Sequence, residues 1–501
     1  MLRRLHTSTR ALAELRSNPD YRLKCGLEIH TQLQTKHKLF SLSPTSINAW
    51  PNSNVSYFDA GLPGTQPKLN PEAILLALKT AVALNCEIQS HSCFDRKHYF
   101  YPDQPLGYQI TQHYHPIAKR GKLELNKQFD EVQIPKTIRI EQIQIEQDTG
   151  KTTHDDFDHT INIDLNRANT PLIELVTKPD FDTVDQVKAF VKKFQSLVRH
   201  IGVCTGDLET GAIRVDVNVS VNGYPRVEIK NLNSHSEISQ SIMHEYWRQV
   251  ELIKQDKSEE LQQETRGWDG EKTILLRKKE SSVDYRYFPD SELPHVILDP
   301  TIGDQIRATL PELPEELLRK LTSMPYNLEL RYARHLVEHP YIMKFYFDLF
   351  DKMNNTKMVN NWVTQELPAA FSKMNEQWDF NIVSVDRVVE IMQLVASKKL
   401  SLTSARHLIY NMIKHKNEGS IGELIVKYDL APPSESVSSE EINEAINEIC
   451  EEIVNANEDV VAKIRRGQTK SMKYLVGLAM KETQGKIPAK DFENKFKMLI
   501  V

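Results

Sequence analysis

The sequence predicts an α+β protein in which sheet and helix are segregated along the chain. Three observations carry this expectation. Up to about residue 300, short period-two stretches alternate with turn signals and a few helical stretches. From about residue 301 the alternation stops, and helical periodicity takes over with breaks at Pro311, Pro314, Pro325 and Pro340. At the end of the chain charge separates: residues 431–460 hold nine acids and no Lys or Arg, and residues 461–501 hold ten bases against three acids.

The first strand is expected in "KCGLEIHTQL", residues 24–33, where Leu27, Ile29, Thr31 and Leu33 share one parity and Glu28, His30 and Gln32 the other. In a strand this sets a carboxylate and an imidazole side by side on one face. A helix follows over 71–85, opened by Asn70-Pro71. "QIQIEQD", 142–148, repeats the two-residue period and brings Glu146 and Asp148 to strand spacing beside Gln142 and Gln144. "PLIELV" encloses Glu174 among Leu172, Ile173, Leu175 and Val176. An ionised carboxylate in such a run is costly unless it is paired or coordinated. Helices are expected over 183–200 and 236–255. Between them "RVDVNVSV", 214–221, gives four valines to one face and Arg214, Asp216, Asn218 and Ser220 to the other. "RVEIK" then places Glu228 and Lys230 together. Asn222-Gly223 suggests a two-residue hairpin turn, but that pairing sets Asp216 opposite Ile229 and mixes the faces. An odd-length loop or a bulge keeps the polar sets together and is preferred. In the tail, "APPSESVSSE", 431–440, reads as a linker, and Ile442, Ile446, Ile449 and Ile453 form an apolar stripe on an acidic helix.

Composition bounds the class. The 501 residues are 40% hydrophobic and 26% charged, which suits a globular protein of several domains. No apolar run approaches the roughly 20 residues that span a bilayer, so no transmembrane segment is expected. The five cysteines form no Cys-x-x-Cys pair, which argues against a zinc finger or a disulfide framework and for a reducing compartment. The start, "MLRRLHTSTRALAELR", carries four arginines and one acid, with Leu2, Leu5, Leu12 and Leu15 on one helical side. That is the composition of a mitochondrial transit peptide, expected over residues 1–19. Without it the net charge of −5 becomes more negative still, so nucleic-acid binding requires a local basic patch. "KIRRGQTKSMK", 463–473, is such a patch, with Lys463, Arg465, Arg466, Lys470 and Lys473 as candidate phosphate contacts. The competing reading pairs the acidic and basic blocks as neighbouring helices.

Phosphate-binding loops are excluded. "IEQDTGKT", 145–152, resembles the end of a P-loop, but Ile145 stands where the loop needs glycine. Any nucleotide must then be held by side chains and cations on a sheet. "FDRKHYFYPDQPLGYQITQ", 94–112, interleaves Arg96 and Lys97 with Tyr99 and Tyr101, a pattern able to hold phosphate and stack a base. For each acid-bearing strand an ordinary solvated face is the competing reading; Glu174 fits that reading least well.

Taken together, these stretches resemble the B subunit of glutamyl-tRNA(Gln) amidotransferase. The resemblance is carried by "GLEIHTQL", "FDRKHYFYPDQPLGYQITQ", "EQDTGKTTH", "DLNRANTPLIELVTKPD", "RVDVNVSV", "EIKNLNS", "ETRGWD", "DYRYFPD" and "KSMKYLVGLAMK", in the family's order over nearly the whole chain after residue 20. It implies an antiparallel-sheet cradle domain with the kinase and transamidase chemistry over 20–300, an all-α helical domain over 301–430 and a helical tRNA-binding tail over 431–501. It implies an ATP-dependent carbon–nitrogen ligase that phosphorylates the glutamyl side chain of Glu-tRNA(Gln) and amidates it with ammonia from glutamine. The implied partners are an amidase A subunit, a small third subunit and tRNA(Gln) charged with glutamate; the implied compartment is the mitochondrial matrix, with inner-membrane association left open. A non-catalytic tRNA-binding scaffold is the alternative.

Residue by residue, the resemblance implies that Glu28, His30 and Glu174 are catalytic and bind a metal, Mg²⁺ with Mn²⁺ or Zn²⁺ open. The fourth ligand lies in the segment Glu146-Gln147-Asp148, where the family commonly has Glu-Glu-Asp. Gln147 still offers a neutral oxygen, or Glu146 or Asp148 takes over; a site weakened by the amide would show as a higher Mg²⁺ requirement. ATP and substrate contacts are expected from Arg96, Lys97, Tyr99, Tyr101, Arg214, Asp216, Asn218 and Lys230.

Overall fold

The computed structural model describes residues 20–46, 48–155, 157–278, 285–416, 419–431, 439–466, 468–483 and 487–500. The expected transit segment and most of the expected linker, 432–438, lie outside them. The chain forms two compact units, one ending at Leu318 and one beginning at Arg319.

The first unit carries the strands. They are β1 Leu23–Gln32, β2 Glu87–Ile88, β3 His91–Ser92, β4 Asp95–His98, β5 Tyr108–Thr111, β6 Ala118–Leu125, β7 Lys136–Gln147, β8 Lys151–Asp155, β9 Thr160–Asp164, β10 Pro171–Thr177, β11 Ile213–Val221, β12 Val227–Leu232, β13 Glu264–Trp268, β14 Thr273–Lys278, β15 Phe288–Pro289 and β16 Val296–Ile297. Nine of them make one sheet in the order β14-β13-β12-β11-β1-β10-β7-β6-β2. Small satellite sheets pair β15-β4-β5, β16-β3 and β8-β9. The large sheet is antiparallel as expected except at one place: β12 and β13 are parallel. The 20-residue helix His235–Lys254 separates these two strands and returns the chain to the same end, as a parallel connection requires.

Side-chain parity decides what each face does. In β11, Val215, Val217, Val219 and Val221 are buried while Arg214, Asp216, Asn218 and Ser220 are half-buried on the other face. Leu27 and Ile29 of β1, Ile143 and Ile145 of β7 and Ile173 and Leu175 of β10 join the valines in one core. Helices Pro71–Ala83, Val184–His200 and His235–Lys254 contribute Leu78, Phe190, Phe194 and Tyr246 to that core. Each of these helices begins with a side-chain cap: Asn70 accepts from Glu72 N, Thr183 from Gln186 N and Ser234 from Glu237 N. Their starts fall within a residue of the sequence expectation. The β11–β12 connection also follows the parity argument. Five residues, 222–226, join the strands, Asn218 pairs with Glu228, and the register shifts between Val215 and Val217. The polar sets therefore stay on one face, and Lys230 Nζ reaches Asp216 Oδ2 at 2.8 Å.

The strands end at Ile297, as expected, but the first compact unit continues through the helix Ile302–Thr309, whose Ile306 is buried in the sheet's core. Pro314 and Pro340 stand at the first positions of their helices, where a missing amide hydrogen costs nothing. The second unit is helical among its described residues. Its last part, from Ser439 to Ile500, has a core of its own, in which Ile446 and Cys450 of the acidic helix meet Leu475, Phe492 and Phe496 of the basic block. The acidic and basic helices are thus neighbours, through apolar faces.

Candidate active site

The polar face of the large sheet opens on a cavity of about 820 Å³. Antiparallel register builds its floor from two or three side chains on each of the strands β1, β7, β10, β11 and β12. His30 lies opposite Glu174 of β10 and Arg214 of β11, and Glu28 lies opposite Asp216. Glu174 lies opposite Gln144, and Leu172 opposite Glu146. Cross-strand partners on one face are near neighbours, so acids far apart in sequence crowd together. Lys97, Gln109, His113, Tyr285 and Tyr287 also line the cavity.

The acids fall into two groups. In the first, one ligand atom each from His30, Glu146 and Glu174 lie within 4.8 Å of one another, and His30 Nε2 stands 3.8 Å from both carboxylates. In the second, Glu28, Asp216 and Glu228 meet the same criterion. Lys230 answers the second group directly, at 2.8 Å from Asp216 and 3.0 Å from Glu228. Asn218 donates to Glu28 Oε1 at 3.0 Å. In the first group, amides donate to the carboxylates, Gln109 Nε2 to Glu146 Oε1 and Gln144 Nε2 to Glu174 Oε2, but no lysine or arginine among the described residues lies within 4.0 Å of them: Lys97 lies over the Tyr285 ring at 5.2 Å.

Burial sets the protonation tendencies. It pushes the Glu146 and Glu174 carboxyls up against the pull of Lys97. Burial, with Glu228 adding to it, raises Glu28. It lowers His30, which keeps the imidazole neutral and its lone pair available. Burial works against the Lys97 ammonium, yet Glu146 and Glu174 hold it above the ordinary lysine range. The first group fits a divalent cation on its own terms. Glu146 is 2% exposed and its Oε2 has no hydrogen-bond partner among the described residues, a costly state unless something positive is bound. Two carboxylates and one neutral imidazole suit Mg²⁺ or Mn²⁺, and the imidazole admits Zn²⁺.

The expected site residues separate on this geometry. Glu28, His30, Glu146, Glu174, Lys97, Asp216 and Lys230 all line the cavity. Gln147 does not belong with them. It follows Glu146 on the strand and so points to the opposite face, into a small cavity beside Asp59 and Asn169. The amide at this position therefore lies outside the group of His30, Glu146 and Glu174. Asp148 and Arg214 also line the cavity, but Asp148 stands outside the group of His30, Glu146 and Glu174. Arg214 holds it with both terminal nitrogens, Nη1 to Oδ2 at 3.0 Å and Nη2 to Oδ1 at 2.9 Å. That pair occupies Asp148 and the Arg214 fork together. Arg96 is likewise committed, with Nε donating to Asp290 Oδ2 at 2.6 Å and the guanidinium over Tyr108. Tyr99 donates to Gln109 Oε1 at 3.2 Å, and Tyr101 is 62% exposed outside the cavity lining. In the second unit Lys463, Arg465, Arg466, Lys470 and Lys473 are exposed.

Sequence reasoning left out several lining residues. Glu228 was visible beside Lys230 on the same parity, but its role needs β12 next to β11. Gln109 and His113 lie in the quoted cationic and aromatic stretch, and just after it, yet nothing in their spacing points to the cavity. Tyr285 and Tyr287 come from a segment remote in sequence that pairs β15 with β4.

A family model described as the GatB/GatE catalytic domain matches residues 23–304, and one described as the GatB domain matches residues 344–500. The chain is 58% identical over 506 aligned residues to the mitochondrial glutamyl-tRNA(Gln) amidotransferase B subunit of Scheffersomyces stipitis, covering 100% of this chain and 99% of the relative. It is 54% identical to the same-named protein of Debaryomyces hansenii, with the same coverage. Against that of Candida dubliniensis it is 56% identical, covering 98% of this chain and 94% of the relative.

Proposed function

The chain belongs to the family of B subunits of glutamyl-tRNA(Gln) amidotransferase, and on that premise we propose that its polar cavity activates a tRNA-borne glutamate with ATP and converts it to glutamine. The side-chain carboxylate gains a phosphoryl group from ATP, releasing ADP. Ammonia then attacks the acyl carbon, and phosphate leaves with the carbon–oxygen bond electrons. A bare carboxylate resists such attack because it is anionic and offers only oxide as a leaving group. The working partners are an amidase A subunit that frees ammonia from glutamine and a small third subunit. The compartment is mitochondrial, as in the relatives' names. No helix among the described residues is long and apolar enough to cross a membrane.

One observation supports the reading: an acid group able to take a cation and the ammonium of Lys97, which makes no ion pair within 4.0 Å among the described residues, share one cavity. His30, Glu146 and Glu174 would hold a divalent cation, which when bound neutralises phosphate charge. Lys97 is free to hold a phosphoryl oxygen while its charge is sustained by Glu146 and Glu174. Lys230 keeps Asp216 and Glu228 from repelling an incoming anion. Tyr285 and Tyr287 wall the cavity and limit water, which would hydrolyse an acyl phosphate. Tail residues 463–473 supply phosphate contacts for the tRNA.

The test is Glu174→Gln in the reconstituted complex, with γ-labelled ATP and Glu-tRNA(Gln). Loss of one cation ligand should slow label transfer about 100-fold, near 2.7 kcal/mol of barrier. The amidase partner's glutaminase activity should persist. Transfer and amidation at the normal rate would refute the cation reading and favour a scaffold role.

A further inference from the structure

We propose that Gln109 and Gln144 are positioning residues that clamp the two carboxylates of the first acid group, so that each offers a cation a single oxygen. This rests on the cation reading above and goes beyond it to which cation is selected.

Gln109, on β5, is 6% exposed. Its Nε2 donates to Glu146 Oε1 and, at 2.7 Å, to the carbonyl of Gln147. Its Oε1 accepts from the Tyr99 hydroxyl at 3.2 Å. The orientation of the amide is therefore forced: two acceptors face the nitrogen and a donor faces the oxygen. Gln144, on β7 and also 6% exposed, repeats the arrangement for the second carboxylate. Its Nε2 donates to Glu174 Oε2 and to Thr111 Oγ1 at 3.2 Å, and its Oε1 accepts from Gln142 Nε2 at 2.7 Å. Both amides are locked by further bonds, so neither can turn away when a cation enters.

A clamped oxygen keeps a second lone pair for a cation beside His30, while the amide hydrogen on the first fixes the rotation of the carboxylate, so that one oxygen rather than both faces the cation. Among the described residues Glu146 Oε2 is left without a partner, and the clamped oxygens, Glu146 Oε1 and Glu174 Oε2, are the ones 3.8 Å from His30 Nε2. Ca²⁺ commonly takes carboxylates through both oxygens in coordination shells of 6–8, whereas Mg²⁺ accepts one oxygen each in a tight octahedron. The two clamps thus favour the smaller ion. Neutral amides achieve this without adding charge to a cavity already crowded with acids, and partners of this kind typically govern metal affinity by 10–100-fold.

The experiment uses the assembled complex without tRNA or ATP. Mn²⁺ binding is followed by electron paramagnetic resonance, with Ca²⁺ as competitor, for the unsubstituted complex, Glu146→Gln, Gln109→Met and Gln144→Met. Methionine keeps the length of the side chain and removes the donor. The expected result is that Glu146→Gln abolishes the site. Each methionine variant should weaken Mn²⁺ about 10-fold or more and narrow the preference over Ca²⁺. If Glu146→Gln abolishes the site but both methionine variants keep affinity and preference, the clamp proposal falls and the cation reading stands. If Glu146→Gln leaves Mn²⁺ binding intact, the cation reading itself falls and takes the proposal with it. Thermal melting accompanies each variant; should Gln109→Met fail to fold, Gln144→Met decides by the same criteria.

Discussion

Replacing Asp148 by Asn separates two roles that sequence position leaves mixed, cation ligand and structural anchor. The side chain of Asp148 is 6% exposed, and Arg214 grips it at 2.9 and 3.0 Å. Arg167 Nε stands 3.7 Å away, and the Thr149 amide donates to Oδ1 at 2.9 Å. An amide keeps the shape but removes the counter-charge and turns an N–H toward the guanidinium. Breaking a buried pair from one side costs about 3–5 kcal/mol. The Arg214 side chain is 30% exposed, so water and ions reach its charge and the lower end applies, about 3 kcal/mol. For a unit of this size about 2 °C is lost per kcal/mol, which gives a fall in melting temperature of about 6 °C. Thermal unfolding of the complex with and without the substitution measures this. In the same preparation the Mg²⁺ concentration for half-maximal label transfer should stay within about twofold. A 10-fold rise in that concentration with an unchanged melting temperature would refute the anchor role and restore Asp148 as a ligand.

Two further outcomes follow from the electrostatics. Burial raises the folded-state pKa of Glu146 above the ordinary 4.5, so its ionisation opposes folding: the penalty is absent below 4.5 and grows as pH rises toward the folded value. Without divalent cations, Glu146→Gln should therefore gain stability relative to the unsubstituted chain at pH 7.5, and lose that advantage by pH 4.5 in urea titrations; an advantage independent of pH would contradict the burial argument. In the tail, changing Lys463, Arg465, Arg466 and Lys470 together to Ala should weaken tRNA binding and reduce the log–log salt slope by roughly 3, near 0.7–0.9 per lost phosphate contact. Filter binding from low to high salt reads both, and an unchanged slope would leave the basic block with only its packing role against the acidic helix.

Much of the fold was legible because period-two alternation is a local property. Leu27 and Ile29 against Glu28 and His30, or the four valines of 215–221 against Asp216 and Asn218, already state which side chains share a face. The same parity predicted an odd connection or a bulge between β11 and β12, and both occur. The Asn70-Pro71 start made one helix readable, and the caps that the structure shows at Thr183 and Ser234 lie within two residues of the expected starts of two more. The parallel β12–β13 contact was not readable, because no residue in either strand records which way its neighbour runs.

For the site, the sequence alone determined which residue types were on offer: a carboxylate in an apolar strand at 174, an acid and an imidazole two apart at 28 and 30, and a basic tail. Only the tertiary structure decided which of them meet. It put His30 with Glu146 and Glu174, moved Glu28 to Asp216 and Glu228, turned Gln147 to the far side and gave Asp148 to Arg214. The reason is physical. Parity is fixed within a strand by its two-residue period, whereas convergence depends on strand order and register, which are settled by packing the shared apolar face rather than by the polar residues themselves.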